Sequence, residues 1–228
     1  MTDVPPPARW IVLLLLVVTL GLTAAAAGNG TLPGDVTTER WVQRAPAGVA
    51  EPVAETANTL GSGGVLAIVE LILAATLLIL RRPAAALLIV LSGVLRVVGT
   101  LLKAVIGSAR PTPDVVRVTE SPPSNGFPSG HALGVTLLVG VLVVILLGSV
   151  RSPWQRWLTL AVALLAGIVS GFGRIYVGAH WPSDVLGGAL WGVLLLVATL
   201  AARRVVAKRM ARPGRGYAAP QREPLARP

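Results

Sequence analysis

The sequence predicts an all-α integral-membrane protein, a six-helix bundle, on three observations. Of its 228 residues, 54% are hydrophobic and only 13% are charged, with a mean hydropathy of +0.73. Six apolar runs are long enough to cross a bilayer, which takes about 20 residues of helix. When those runs are threaded in alternation, the basic residues collect on one side. A soluble domain of this size has too little interior for so much apolar surface, so the excess faces lipid.

The first run, Arg9–Ala27, ends in Ala24-Ala25-Ala26-Ala27-Gly28. That ending also resembles a signal-peptide cleavage region, and cleavage would leave five helices with the remaining topology unchanged. Between Gly28 and Asn58, Trp41 and scattered apolar residues predict short interfacial helices. The second run (Thr59–Leu80) and the third (Ala84–Ile106) are joined tightly through Arg81-Arg82-Pro83. The fourth (His131–Val150) and fifth (Trp154–Phe172) are joined tightly through Arg151-Ser152-Pro153. Asp184–Ala202 is the sixth, and the tail from Arg203 is basic and rich in Pro and Gly, which predicts disorder. The chain thus divides into residues 1–58, a five-helix membrane core over 59–202, and a tail over 203–228.

Placing the N-terminus, both tight turns and the tail together puts 13 basic residues on one side and six on the other. The positive-inside tendency makes the first side cytoplasmic, with both termini inside. Seven of the ten acids fall outside. The net charge of +10, from 18 arginines and two lysines, therefore orients the chain and does not imply nucleic acid as a partner. Its basic tail suits contact with anionic head groups. Without cysteine there are no disulfides or thiolate sites, and two histidines limit any histidine-based metal site. The oligomeric state has no signature in the sequence.

Charged residues at the ends of spans usually snorkel to the interface. That account suits one residue, but Lys103, Arg110 and Arg174 come together with both histidines, in two loops opening on the same face. One loop ends in Pro128-Ser129-Gly130-His131, directly against the fourth run. A helix N-terminus there offers free N–H groups and positive potential, a cradle for phosphate, with Ser129 and Gly130 presenting amides. In the other loop, Pro182 suits a first helical turn. His180 and Asp184 are then one turn apart, so the carboxylate can hold one imidazole N–H and leave the other nitrogen as a nucleophile.

Lys103-x6-Arg110-Pro111, Pro128-Ser129-Gly130-His131 and Arg174-x5-His180-x3-Asp184 together resemble the three-part signature of the phosphatidic acid phosphatase type 2 superfamily. That superfamily also includes bacterial acid phosphatases and vanadium haloperoxidases. The resemblance runs from about Thr59 to Ala202. It implies that Lys103, Arg110 and Arg174 bind the phosphate oxygens, with hydrogen bonds added by Ser129 and the Gly130 amide. It implies His180 as nucleophile, Asp184 as its orienting group, and His131 as the acid that protonates the leaving oxygen and then activates water. No metal or other cofactor is implied. One position departs from the pattern: Gly173 stands where the family usually has serine.

Two charges fall within the runs. Glu70 and Arg96 lie 12 and 14 residues from the Arg82-Pro83 turn, about 18 and 21 Å along their helices. Matching depths in a hairpin predict a buried ion pair, because an unpaired charge is costly there. Alternatively Arg96, on the same face as Lys103 and Arg110, supports the phosphate site from below. The functional expectation is hydrolysis of a lipid phosphate or diphosphate at the outer face of a bacterial cytoplasmic membrane. Undecaprenyl diphosphate, phosphatidic acid and phosphatidylglycerol phosphate are the candidate substrates. A lipid phosphotransferase and a non-catalytic anionic-lipid binding or transport protein are the alternatives.

Overall fold

The computed structural model describes residues 9–210, and its described residues form eight helices and no strand. They are α1 (Arg9–Asn29), α2 (Asp35–Val42), α3 (Ala47–Leu60), α4 (Gly63–Ile79), α5 (Pro83–Ile106), α6 (Gly130–Leu147), α7 (Pro153–Tyr176) and α8 (Pro182–Met210). The chain is all-α, as its composition and apolar runs predict. Five helices are long and apolar enough to cross a membrane, and α3 with α4, which meet at a bend of 59°, pass the same test only when taken together.

Helix boundaries follow local chemistry. Proline opens α5 and α7, where its missing N–H costs nothing. The hydroxyls of Ser62 and Ser129 cap α4 and α6, each accepting from a backbone N–H at 3.4 Å. At the end of α5, Gly107 takes the left-handed conformation (φ 68°) that closes a helix. Helix α8 runs on to Met210, eight residues beyond the span read as ending at Ala202. Ala201 to Met210 holds only residues that tolerate helix, and the first breaker, Pro213, lies outside the described residues.

Helix α6 is the centre of the bundle and packs on α5, α7 and α8. Gly188 and Gly192, four residues apart on α8, let that helix approach the α6 backbone closely. A Cβ at Gly192 would stand 3.0 Å from Leu133 O. Leu66, Leu88, Ile89, Leu138 and Val141 form the apolar core between α4, α5 and α6. Helix α1 lies against α8, where Trp191 Nε1 donates to Thr23 Oγ1 at 3.1 Å.

Residues 28–58 do hold the expected short helices, but α3 is more than an interfacial segment. It packs along α7 and meets α4 at a break formed by Gly61, Ser62 and Gly63. The break lies beside the start of α6: a Cβ on Gly61 would sit 2.9 Å from His131 Cδ2. The expected ion pair is present, with Arg96 Nη2 2.6 Å from Glu70 Oε2. Ser92 donates to the other Glu70 oxygen at 3.2 Å, and Arg96 Nη1 donates to Gly63 O at 3.2 Å, which ties the break to α5.

Helix α2 clamps the outer loops. Asp35 accepts from Ser183 N (2.9 Å) and Ser183 Oγ (2.7 Å) at the start of α8. Arg40 donates to Val115 O, and Gln43 exchanges two hydrogen bonds with the backbone of Arg117. Glu39, one turn from Asp35, is fully buried and neither of its carboxylate oxygens has a hydrogen-bond partner. Burial, and the nearby charges of Asp35 and Asp184, push its carboxyl up to about 8.

Two outcomes follow from these buried charges. Glu70→Gln should leave Arg96 without its counter-ion and lower stability by about 3 kcal/mol or more, read as a lower melting midpoint in detergent. An unchanged midpoint would contradict the pairing. Glu39 keeps its proton in the fold to about 8, whereas an unfolded glutamate loses it near 4.5. The unfolded chain therefore ionises first, and wild-type stability should fall as pH rises through that window. Glu39→Gln should flatten that slope in melting curves recorded across it, and an identical slope would contradict the burial of a neutral acid.

Candidate active site

Each candidate side chain lies at or beside the end of a helix. Lys103 is in the last turn of α5 and Arg110 follows the Gly107 turn. Ser129, Gly130 and His131 start α6, Arg174 ends α7, and His180 and Asp184 flank the entry to α8. The two loops are joined by backbone bonds, among them Ser129 N donating to Asp184 O and Thr119 N to Val177 O, both at 2.9 Å. The fully buried Phe127, next to the cis peptide to Pro128, packs against Gly187 of α8 and seats the first loop on the second.

His180 is buried and fixed on both sides of its ring. Its Nδ1 is 3.2 Å from Asp184 Oδ2, and with Asp184 ionised, when it can only accept, Nδ1 carries the proton in that bond. Trp181 N donates to the same oxygen at 3.1 Å. The other ring nitrogen, Nε2, is then a lone pair, and it lies 3.2 Å from Arg110 Nη1. Burial first, then the charges of Lys103, Arg110 and Arg174, hold His180 well below the usual histidine range. A neutral imidazole with its tautomer fixed and its free nitrogen among cations is the result.

The cations are held mostly by neutral partners. Lys103 Nζ donates to Asn125 O and Gly126 O, both at 2.9 Å. Arg110 donates to Ala179 O and, at 3.0 Å, to Ser124 Oγ. Arg174, 1% exposed in its side chain, uses Nη1 for Asn58 Oδ1 (3.1 Å) and for Glu120 Oε2 (2.9 Å). Glu120 is 42% exposed, so its carboxylate meets Arg174 from the solvent side as phosphate oxygens would. His131 Nε2 is 3.1 Å from Asn58 O, a carbonyl, so that nitrogen also carries a proton.

All three cations and His131 act electrostatically on His180, which places the residues of the three sequence motifs in one site. Ser129 is fully buried, its hydroxyl caps α6 and its amide is taken by Asp184 O, so of the two amides expected to be presented only that of Gly130 is left for a ligand at the helix start. Glu70 and Arg96 pair between α4 and α5, and Arg96 also lines the recess that reaches Lys103 and His131. Arg117 stacks 4.5 Å over the Tyr176 ring and is not part of the cation set.

Asn58, Glu120, Asp35 and Glu39 escape sequence reading. Asn58 belongs to no motif, yet it bridges Arg174 and His131 from the end of α3. Gly173 now has a physical reason. A Cβ there would meet Ala57 Cβ at 2.9 Å, Ala54 O at 3.1 Å and Asn58 Oδ1 at 3.3 Å, so α3 occupies the space a serine would need.

The family model described as the PAP2 superfamily matches residues 83–207. An undecaprenyl-diphosphatase of Sulfolobus acidocaldarius is 32% identical over 123 residues, covering 52% of this chain and 55% of that protein. Phosphatidylglycerophosphatase B of Bacillus subtilis is 32% identical over 112 residues, covering 48% and 53%. The chain thus spans about half the length of these relatives. The crystal structure of a transmembrane PAP2-type phosphatidylglycerolphosphate phosphatase from Bacillus subtilis superposes with a TM-score of 0.73 at 22% identity, over 88% of this chain and 98% of that one. With the matched region running from the start of α5 through most of α8 and containing every motif residue of the site, the chain belongs to the PAP2 superfamily.

Proposed function

We propose that this multi-pass membrane protein is a lipid phosphatase that hydrolyses a phosphate or diphosphate monoester through a phosphohistidine. The observation that carries the reading is the His180 imidazole, proton fixed at Nδ1 by Asp184 and lone pair at Nε2 among three cations. In the first step Nε2 attacks phosphorus, the N–P bond forms, and the bond from phosphorus to the lipid oxygen breaks. His131, protonated on both ring nitrogens once the anionic phosphate is bound, gives one proton to that departing oxygen and is left neutral. Lys103, Arg110, Arg174 and the Gly130 amide stabilise the charge on the equatorial oxygens, displacing Glu120 from Arg174. In the second step His131 takes a proton from water, the hydroxide attacks phosphorus, and the N–P bond breaks to free phosphate and neutral His180.

Positive charge that a divalent ion supplies in other phosphatases comes here from side chains, so the chemistry requires no metal. The candidate lipids are undecaprenyl diphosphate, phosphatidic acid and phosphatidylglycerol phosphate, and the names of the similar proteins support that class. The charge asymmetry supports a bacterial cytoplasmic membrane with both termini inside and the site facing outward.

Purified protein should release phosphate from such lipids equally well with EDTA present, and a quench in alkali, where an N–P bond survives, should retain labelled phosphate on the protein. His180→Ala should reduce release by about 10³-fold or more while lipid binding persists. Strict metal dependence, or an active His180→Ala variant, would sink the mechanism. Gly173→Ser, although it restores the usual family residue, should lower both kcat and melting midpoint, because α3 must move and carry Asn58 off Arg174 and His131. A gain in activity would show that α3 yields without cost.

A further inference from the structure

Among the described residues, Glu120 is the one carboxylate paired with any of the three site cations. Lys103 and Arg110 are held by carbonyls and a hydroxyl, so a phosphate reaches them without breaking an ion pair. At Arg174 it must exchange one. Both Glu120 oxygens lie within 3.0 Å of Nη1, on a guanidinium whose side chain is 1% exposed. The carboxylate is also tethered. Thr119 N and Glu120 N donate to Val177 O at 2.9 and 3.3 Å, and Thr119 Oγ1 donates to the same oxygen at 3.2 Å. Val177 directly follows α7, three positions after Arg174. That anchor gives Glu120 a high effective concentration at its partner. The space open to it on release is a cavity of about 700 Å³, which it lines with Glu51, Glu55 and Arg117. Two carboxylates against one guanidinium, itself stacked on Tyr176, make that a poor exchange for a buried arginine.

Charge decides which ligands win this exchange. A phosphodiester carries one negative charge over two free oxygens, as the carboxylate does, and it brings that charge from outside. It therefore offers Arg174 nothing that the tethered Glu120 lacks. A terminal phosphate carries about 1.5 to 2 negative charges at neutral pH over three oxygens, and gains correspondingly more from a buried guanidinium. Diesters make up the anionic bulk of a bilayer, and a cluster of cations at its surface attracts them. Three unguarded cations at the membrane edge would be filled by bystander lipid.

We propose that Glu120 is a specificity-determining residue, a tethered anion that keeps monoanionic phosphodiester lipids out of the cation site and yields to the terminal phosphate of a substrate. Specificity is a difference of affinities, and Glu120 sets it by weakening one class of ligand more than the other. The proposal rests on the phosphatase reading and deepens it. Mixed micelles test it, with phosphatidic acid as substrate, phosphatidylmethanol as the monoanionic diester, and an equal mole fraction of neutral detergent as control. Glu120→Gln keeps the size of the side chain and removes its charge. The variant's inhibition constant for phosphatidylmethanol should fall by about tenfold or more, and its KM for phosphatidic acid by a clearly smaller factor. Glu120→Asp keeps the charge on a shorter arm and should stay resistant to phosphatidylmethanol, which separates loss of charge from a loosened loop. In a His180→Ala background the melting midpoint reads the same exchange without turnover. There phosphatidylmethanol should stabilise the protein only when Glu120 is glutamine, whereas phosphatidic acid should stabilise it in either case. Equal inhibition by phosphatidylmethanol in wild type and Glu120→Gln, or equal tightening of both lipids, would overturn the role of Glu120. Absence of phosphate release from phosphatidic acid and the other candidate lipids would instead remove the phosphatase reading, while the melting shifts still report on Glu120.

Discussion

Three cations and two histidines share one small volume at the membrane edge, and nearly every feature around them serves to hold that charge in place. Mutual repulsion among Lys103, Arg110 and Arg174 would scatter them in a looser fold. They stay because neutral oxygens fix them: carbonyls of the Asn125–Gly126 turn for Lys103, Ala179 O and a serine hydroxyl for Arg110, Asn58 for Arg174. Neutral partners restrain position without cancelling charge, so the field at His180 Nε2 stays positive. The lone carboxylate on Arg174, Glu120, is exposed enough to leave.

Holding those carbonyls and amides requires the two outer loops to be rigid, and this is where the irregular parts of the fold matter. Helix α2 grips the start of α8 through Asp35 and the preceding loop through Arg40 and Gln43. A neutral, buried Glu39 lies in the same clamp. The break between α3 and α4 does a second task. It brings Asn58 across to Arg174 and His131, and it opens the glycine-walled recess beside the acid. A straight second span would close that recess and withdraw Asn58.

Much of the site was legible from spacing. His180 and Asp184 at i and i+4 on a helix start can only face each other, and Ser129 before an apolar run can only cap it. Lys103 and Arg110 straddle the end of α5, so both had to emerge on one face. Depth counted from the hairpin turn also paired Glu70 with Arg96. What spacing could not show was any contact made from elements far away in sequence. Asn58 reaches Arg174 across 116 positions, and Asp35 reaches Ser183 across 148. Neither residue type is unusual in a loop or interfacial helix, so no local signal marks them. Nor could spacing show why Gly173 stands where the family usually has serine: α3 takes the space a side chain would need.

The sequence by itself determined the all-α membrane class, the position of five of the spans, and the residues that meet at the histidine pair. Those follow from hydrophobic length and helical periodicity, which are properties of neighbouring residues. Only the tertiary structure decided the bend at Gly61–Gly63, the role of α2 as a clamp, and the existence of two cavities, one opening at Asn58 and the other at His131. Each of those arises where separate helices approach, and the closeness of approach depends on what every wall lacks as much as on what it carries.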